Sequence, residues 1–144
     1  MTLALLGSMT VSTGNAFASP VSDANKELVT KFWNNVFNLH NTSVIDTMVG
    51  STYKQHSPSF KDGKANFKTA VSGFLAEFPD STAKIVHIGA DGDLVFIHNH
   101  IQLNQSDRGQ AAMDIFRVKD NQIVEHWDII QDIPEKAEND NTMF

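Results

Sequence analysis

The sequence predicts an α+β fold, with helices in its first half and an antiparallel sheet in its second half. Apolar residues recur every three or four positions before residue 80 and at every second position after it. Helices that precede the strands, instead of alternating with them, are typical of this fold class. The 144-residue chain has the length of one ordinary domain, and its 41% of hydrophobic residues is enough to form a core.

Three helices are predicted before residue 80. The first covers residues 24–39, with Ser22 or Asp23 as its N-cap. A short second helix covers residues 43–49, and the third is ended by Pro79. The apolar face of the third helix consists of Phe67, Val71, Phe74, Leu75 and Phe78. Such a face has to be buried against a second layer of structure.

Four strands are predicted after Pro79, over residues 84–90, 94–104, 110–118 and 123–130. Asp91-Gly92 predicts a hairpin between the first two strands, and a turn around Asp120-Asn121 joins the last two. Another short extended segment is predicted at residues 53–56. The four consecutive strands form an antiparallel meander, which supplies the second layer.

The two ends of the chain lie outside the predicted domain, which covers residues 22–134. Residues 1–21 form a leader, in which residues 1–18 carry no charge and Ala16-Phe17-Ala18 matches the A-x-A pattern of a signal-peptide cleavage site. A basic n-region is missing. Two interpretations therefore stay open: an exported protein, periplasmic or secreted, and a cytoplasmic protein with a frayed leader. Residues 135–144 form a polar tail.

The composition excludes several functional classes. The formal net charge is −6 and no basic run stands out, so we expect no nucleic-acid partner and no membrane partner. The chain has no cysteine, which excludes disulfides, thiolate zinc sites and cysteine nucleophiles.

Ionisable residues concentrate on the predicted strands. Strand alternation sorts them into one set, which consists of His98, His100, Asp114, His126 and Asp128. Ionised groups on a covered sheet face are costly unless they are paired, hydrated or used in chemistry. We therefore predict a shared cavity that is lined by the two aspartates, by His126 and by at least one of the other two histidines.

Whether these side chains meet depends on the turn between the last two strands. A three-residue turn at 119–121 places Asp114 opposite His126, and Asn121 tolerates the left-handed position that such a turn requires. A two-residue turn instead places Asp114 opposite Trp127 and separates it from the His126 face. The predicted cavity follows from the three-residue turn.

Four segments of the chain resemble the SnoaL-like family. They are Tyr53-Lys54-Gln55-His56-Ser57-Pro58, Ala90-Asp91-Gly92-Asp93, Asp114-Ile115-Phe116-Arg117-Val118 and Ile123-Val124-Glu125-His126-Trp127-Asp128. They occur in the family's order, and the resemblance extends from about residue 25 to residue 134. It implies the cone-shaped α+β fold of the nuclear-transport-factor-two-like superfamily, in which three helices pack into a curved antiparallel sheet.

The resemblance also implies an active site. In the polyketide cyclase of this family an aspartate near the end of the last strand acts as acid and base, and Asp128 lies at the matching place. The residue that matches Asp114 is a histidine in that cyclase, and this departure favours a relative with different chemistry. Because the fold hosts cyclases, dehydratases, isomerases and non-catalytic binders, it does not determine the function.

We expect an enzyme that performs cofactor-independent acid–base chemistry on a carbonyl compound in an apolar pocket, such as aldol-type cyclisation, isomerisation or dehydration. The predicted catalytic residues are Asp128, Asp114 and His126. The residues predicted to bind the substrate are Tyr53, His56, His98, His100, Phe96 and Phe116. The substrate is expected to be a small hydrophobic or carbonyl-containing molecule, with no cofactor and no metal.

Two alternatives stay open. A binding module has the same pocket without turnover, and Asp114 and His126 then form a structural pair. A metal-dependent enzyme uses His98 and His100, which lie two residues apart on one strand face.

A homodimer is expected through the second sheet face, with Trp127 as its anchor, because a large apolar face on a monomer usually marks an interface. The residues assigned to that face are Val95, Ile97, Ile101, Leu103, Met113, Ile115, Trp127 and Ile129.

Overall fold

The computed structural model describes residues 19–144, and the part of the predicted leader that covers residues 1–18 lies outside the described residues. The elements in chain order are α1 (Pro20–Trp33) with a π-helical turn (Asn34–Asn38), a 3-10 turn (Thr42–Val44), α2 (Ile45–Met48), β1 (Val49–Gln55), α3 (Lys64–Glu77), β2 (Thr82–Asp91), β3 (Leu94–Gln102), β4 (Gln110–Lys119) and β5 (Gln122–Asp132). This order confirms the predicted α+β class. Within residues 19–144, no helix combines the length and the apolar character that a membrane crossing requires.

The five strands form one mixed sheet in the order β1-β5-β4-β3-β2. Strands β2 to β5 are the predicted antiparallel meander. Strand β1 adds to the free edge of β5 in the parallel direction and pairs Gln55 with His126. The predicted antiparallel sheet therefore gains one parallel strand at its edge, formed by the segment that was predicted only as a short extended piece. Parallel pairing here joins residues that are 71 positions apart, and no local pattern reveals it.

Helix α1 begins at Pro20 rather than at residue 24, with Ser19 as its N-cap. The Ser19 hydroxyl accepts the N–H of Ser22, and proline suits the first turn because its missing N–H has no helical partner there. The aromatic residues of α1 bury against the sheet, where Trp33 donates its indole N–H to the carbonyl of Ala83 at 2.8 Å. The helices thereby cover one face of the sheet, called the inner face below.

In strand β3 the side chains that face the helices are not those predicted from the sequence, but those of the alternate positions. It ends at Gln102, and Ile101 pairs with Gln110, so that Ile97 lies opposite Asp114. A change of one residue in register moves every side chain to the other face of a strand. The inner face of β3 therefore consists of Val95, Ile97 and Asn99, each 0% exposed. Three residues that were predicted to line the pocket therefore lie on the outer face, namely Phe96, His98 and His100.

The loop between β3 and β4 fixes this register. One carboxylate oxygen of Asp107 accepts the N–H of Leu103 at 2.9 Å, and the other accepts the N–H of Gly109 at 3.0 Å. These bonds lower the pKa of Asp107 from its ordinary value. Gly109 has φ +79°, and a Cβ there would approach the carbonyl oxygen of Ile101 to 2.1 Å, so the loop closes only with glycine at this position.

The β4–β5 hairpin differs from the predicted turn but keeps the predicted faces. The turn has two residues, Asp120 and Asn121, both with positive φ, and Lys119 pairs with Gln122. A β-bulge then adds one residue to β5 between Ile123 and Glu125. Turn and bulge each shift the pairing by one residue, and as a result Asp114 pairs with Asp128, while His126 pairs with Phe116. The expected pairing of Asp114 with His126 was wrong by two residues.

The outer face of the sheet carries only part of the predicted apolar set. Val95 and Ile97 belong to the core, and Ile101 packs against it. The members that do lie on the outer face are Met113, Ile115, Trp127 and Ile129. The polar tail returns to this face, where the ring of Phe144 lies 4.6 Å from His100 and 5.3 Å from His98.

Candidate functional site

A buried cluster of hydrogen-bonded side chains lies on the inner face where β1, β5, β4 and β3 meet. Nε2 of His126 lies 2.8 Å from Oδ1 of Asp114, and Nδ1 of His126 lies 2.9 Å from Oε1 of Gln55. Asn99 donates its amide to Oδ2 of Asp114 at 2.6 Å. Asp114 and His126 are 4% and 6% exposed. Each ring nitrogen of His126 and each oxygen of Asp114 therefore has a defined partner.

The second carboxylate of the site, Asp128, is placed differently. It is the strand partner of Asp114, yet it is only half-buried. Ligand-type atoms of Asp114, His126 and Asp128 all lie within 4.8 Å of one another. Among the described residues no group forms a hydrogen bond with the side-chain carboxylate of Asp128, whose backbone pairs with β4. The site thus pairs one carboxylate that is fully engaged with one that is free.

Tyr53 lies behind this cluster. Its hydroxyl oxygen accepts the amide N–H of Gln55 at 2.9 Å, and its ring lies 5.3 Å from that of Phe67. Burial, followed by the nearby charges of Asp128 and Asp114, raises the pKa of Tyr53 well above its ordinary value. The phenol therefore stays protonated. The phenol contacts Gln55 on the side away from the cavity and is not among the side chains that line the cavity.

The cluster opens into a cavity of about 200 Å³ between the helices and the inner face. Five aromatic side chains dominate its wall, namely Trp33, Phe37, Phe60, Phe67 and Phe74. The polar side chains in the wall are those of Ser81, Thr82, Gln110, Asp114, His126 and Asp128. No lysine or arginine is among the described residues that line it. A larger but open depression of about 560 Å³ adjoins the cavity and shares Ile101 and Gln110 with it.

Ser81 places a buried hydroxyl in the cavity wall. It is 4% exposed, and within residues 19–144 its hydroxyl forms no hydrogen bond. A buried hydroxyl without a partner costs free energy unless a ligand or a water molecule satisfies it. Because the hydroxyl lies in the cavity wall, a ligand or a water molecule in the cavity can supply this hydrogen bond.

The structure brings together only some of the predicted site residues. Asp114, His126 and Asp128 meet, and Phe116 lies on the same face with its ring 4.9 Å from that of His126. His56 does not join them, because it is exposed and stacks on Trp127 with their ring centroids 4.5 Å apart. The cavity lining also lacks the other predicted substrate-binding residues, namely Tyr53, Phe96, His98, His100 and Phe116, of which Phe116 belongs to the hydrophobic core.

Three side chains of the site carried no predicted role, namely Gln55, Ser81 and Asn99. Gln55 reaches His126 through the parallel pairing of β1 with β5. Asn99 reaches Asp114 because β3 presents its odd-numbered residues to the core. Uncharged polar residues at strand positions give no signal by themselves. The segment Tyr53–Pro58 carried part of the family resemblance, and this was the sequence signal that could have indicated a role for Gln55.

The same three groups also have the composition of a metal site. Asp114, His126 and Asp128 can offer two carboxylates and one imidazole, a donor set that suits divalent iron, manganese or zinc. The short distance between His126 and Asp114 also fits a hydrogen bond in which the two groups share one proton. The further partners of the couple, Asn99 on Oδ2 of Asp114 and Gln55 on Nδ1 of His126, support the hydrogen-bond interpretation.

Fold and site together define a small α+β protein with an acidic, aromatic-lined cavity, and comparison with known proteins agrees with this class. Residues 27–138 match the model of the SnoaL-like polyketide cyclase family. The chain therefore belongs to this family. No curated protein matches the sequence.

Solved structures share the fold at low sequence identity. A candidate SnoaL-like polyketide cyclase from Jannaschia sp. CCS1 has a TM-score of 0.68 and 14% identity, covering 81% of this chain and 91% of its own. A candidate polyketide cyclase from Acidithiobacillus ferrooxidans has a TM-score of 0.65 and 21% identity, covering 85% and 91%. A SnoaL-like protein of unknown function from Burkholderia thailandensis has a TM-score of 0.67 and 18% identity, covering 78% and 99%. Such identities establish the fold alone.

Proposed function

We propose that this protein is a cofactor-independent enzyme that moves a proton next to the carbonyl group of a small, uncharged, mostly apolar molecule. The observation that carries the proposal is the contrast between two neighbouring carboxylates. Asp114 is engaged on both carboxylate oxygens, whereas the carboxylate of Asp128 forms no hydrogen bond within the described chain and borders the cavity. A free carboxylate in an apolar cavity is suited to act as a general base.

The wall of the cavity supports the substrate class. Its five aromatic side chains favour a flat or apolar molecule, and the absence of lysine and arginine from its described lining disfavours an anion. A volume of about 200 Å³ lies below the usual range for drug-sized ligands, which is roughly 300–1,000 Å³. A ketone with a single aromatic ring has the required size, shape and charge.

The proposed step is a reversible enolisation. The Asp128 carboxylate takes a proton from the carbon next to the carbonyl, the C–H bond breaks, and its electron pair moves towards the carbonyl oxygen to form an enolate. The hydroxyl of Ser81 is an unpartnered donor in the same wall and can stabilise an oxygen of the ligand. Return of the proton to the same or a different carbon gives exchange or isomerisation, and attack of the enolate on a second carbonyl gives cyclisation.

Deuterium exchange tests this proposal without knowledge of the natural substrate. Acetophenone and related neutral aryl ketones are incubated with the protein in D2O, and deuterium uptake at the α-carbon is followed by NMR. We expect the protein to accelerate exchange, and Asp128→Asn to lower the rate by about 100-fold or more, since it keeps the shape but removes the base. Asp91→Asn, at an exposed strand end, serves as the matched control and should exchange at the wild-type rate.

Two outcomes contradict the enzyme. If aryl ketones bind in the cavity but exchange no faster than in buffer, the protein is a small-ligand-binding module, which the aromatic wall also suits. If exchange is catalysed equally by wild type and Asp128→Asn, Asp128 is not the base.

We also propose that the protein forms a homodimer through the outer face of the sheet. A shallow groove on this face is lined mainly by Leu94, Phe96, Met113, Ile115, Trp127 and Ile129. Ile129 is 72% exposed and Met113 is 39% exposed, which is unusual for a sheet face that stays in water. A two-fold dimer would bury this same face on both copies.

A further inference from the structure

We propose that Gln55 is a positioning residue, whose carboxamide holds a proton on Nδ1 of His126 and thereby neutralises the charge of Asp114 beside Asp128. The placement of the proton stands on hydrogen-bond geometry alone. Its consequence for catalysis rests on the proposed function, in which Asp128 is the base. Gln55 itself lies behind the cavity wall and does not contact the ligand space.

The orientation of the Gln55 carboxamide is fixed by the backbone. The N–H of Ser57 donates to Oε1 of Gln55 at 3.0 Å, and an N–H cannot accept a hydrogen bond. The oxygen end must therefore point towards Ser57. The amide nitrogen then points the other way and donates to the hydroxyl oxygen of Tyr53 at 2.9 Å. Both ends of the carboxamide are satisfied in this orientation, whereas the flipped one would set the amide N–H of Gln55 against the N–H of Ser57, a donor against a donor.

This orientation determines the protonation of His126. Oε1 of Gln55 has only lone pairs to offer, so Nδ1 of His126, at 2.9 Å, must carry a hydrogen. On the other side of the ring, Nε2 and Oδ1 of Asp114 are 2.8 Å apart and share one proton. With both protons in place the His126–Asp114 couple has no net charge, whichever of the two atoms holds the shared proton.

Without the acceptor of Gln55, a neutral imidazole would satisfy Asp114 with its single proton on Nε2. The couple would then carry one negative charge, and its atoms lie within 4.8 Å of those of Asp128. Two like charges at this separation in an apolar cavity repel strongly. Gln55 therefore acts through His126 to keep Asp128 as the single net charge of the site.

The fold holds Gln55 firmly in this role. Gln55 and His126 are partners in the parallel pairing of β1 with β5, and the N–H of His56 donates to the carbonyl of His126 at 2.9 Å. The backbone N–H of Gln55 donates to Oδ1 of Asp62 at 2.8 Å. That bond, with a second one from the N–H of Gly63, lowers the pKa of Asp62. Hydrogen bonds to the backbone at Gln55 and at the adjacent His56 thus fix the position of the main chain from which the Gln55 side chain extends.

Long-range ¹H–¹⁵N NMR of the histidine ring nitrogens tests the proton placement directly. In the wild-type protein we expect Nδ1 of His126 to show the chemical shift of a protonated nitrogen. Gln55→Met has a similar length but no acceptor, and we expect Nδ1 to move to the shift of an unprotonated nitrogen. Gln55→Glu restores an acceptor for both Ser57 and His126 and should restore the proton. Gln105→Met, in an exposed loop, is the matched control and should leave His126 unchanged.

The outcomes separate this inference from the proposed function. An unprotonated Nδ1 in the wild-type protein overturns the inference even if Gln55→Met fails to fold. A protonated Nδ1 that survives in folded Gln55→Met also overturns it. In the deuterium-exchange assay we expect roughly a tenfold slower rate in Gln55→Met, as for a lost hydrogen bond to a charged group. If Gln55→Met loses the proton on Nδ1 but exchanges deuterium at the wild-type rate, the catalytic consequence is refuted. If Asp128→Asn exchanges deuterium at the wild-type rate, the proposed function is refuted, but the proton placement is not.

Discussion

Histidines occupy two contrasting regions of this molecule. On the inner face, His126 is 6% exposed and has a different, defined partner on each ring nitrogen. On the outer face, His87 and His98 face each other with their Nδ1 atoms 3.2 Å apart, and either ring can be the donor. The contrast teaches that a histidine on a strand does not mark a site by itself. What marks the site is burial together with partners that leave only one arrangement of protons.

The largest expected effect lies in the inner region. Asp114→Ala leaves the ring of His126 and the amide of Asn99 without their shared acceptor in a buried environment. We expect the free energy of unfolding to fall by about 3–5 kcal/mol, as when one partner of a buried ion pair is removed. Chemical denaturation followed by circular dichroism measures the change.

The matched control is Asp91→Ala, which removes an exposed carboxylate and should change stability by less than about 0.5 kcal/mol. Equal stability of the two variants would mean that the Asp114–His126 bond contributes nothing, and the contrast between inner and outer histidines would lose its energetic basis.

A smaller effect is expected in the outer region, where Ile129→Lys places a charge in the proposed dimer interface. We expect the wild-type protein to be a dimer at micromolar concentration and the variant to dissociate more readily, by about 2 kcal/mol, as for an interface hot spot. Leu39→Lys is a close control, because Leu39 is 71% exposed but lies far along the chain at the end of the first helix. Sedimentation velocity decides the question, and a monomeric wild-type protein rules out this dimer.

The smallest effect concerns the unpartnered hydroxyl of Ser81. Ser81→Ala removes no hydrogen bond within the described protein, so stability should be unchanged or slightly higher. If a ligand oxygen bonds this hydroxyl, affinity for a neutral aryl ketone should fall by about 1 kcal/mol, or roughly fivefold. Ser59→Ala, at an exposed position, is the control for titration calorimetry. Unchanged affinity in Ser81→Ala would show that the ligand does not use the hydroxyl.

The sequence was sufficient to predict the order of elements and the faces of the last two strands. Asp114, His126 and Asp128 were placed together correctly, although the predicted turn was wrong. The two-residue turn shifts the pairing by one position and the bulge after Ile123 shifts it by one more, and a total shift of two residues keeps every side chain on its predicted face. A bulge has no strong sequence signal, and the agreement therefore rests on two shifts that together preserve the faces.

The face of β3 could not be predicted for a related reason. No turn pattern in residues 103–109 specifies the length of the loop, which depends on Asp107 and on the left-handed backbone of Gly109. The histidines of β3 were predicted to share the covered face with Asp114 and His126, where ionised groups are costly unless they are paired, hydrated or used in chemistry. The structure satisfies the same principle by turning them outwards and placing the uncharged Asn99 within reach of Asp114.

The roles of Gln55 and Asn99 depend on contacts between distant parts of the chain. Gln55 meets His126 only through a parallel pairing across 71 positions, and Asn99 meets Asp114 only through the register of β3. Periodicity predicts which residues share a face, but it does not predict which strands become neighbours. Neutral amides complete the site, and their residue type gives no electrostatic signal in the sequence.

The central claim is that ligands bind beside His126 on the inner face and not beside the histidines of the outer face. Titration of the protein with acetophenone, followed through the ring Cε1–H signals of its histidines, tests this most directly. We predict a saturable shift of the His126 signal, while the signals of His87, His98 and His100 stay unchanged. A shift of the outer-face signals with a constant His126 signal would contradict the account and would place the binding site on the opposite side of the sheet.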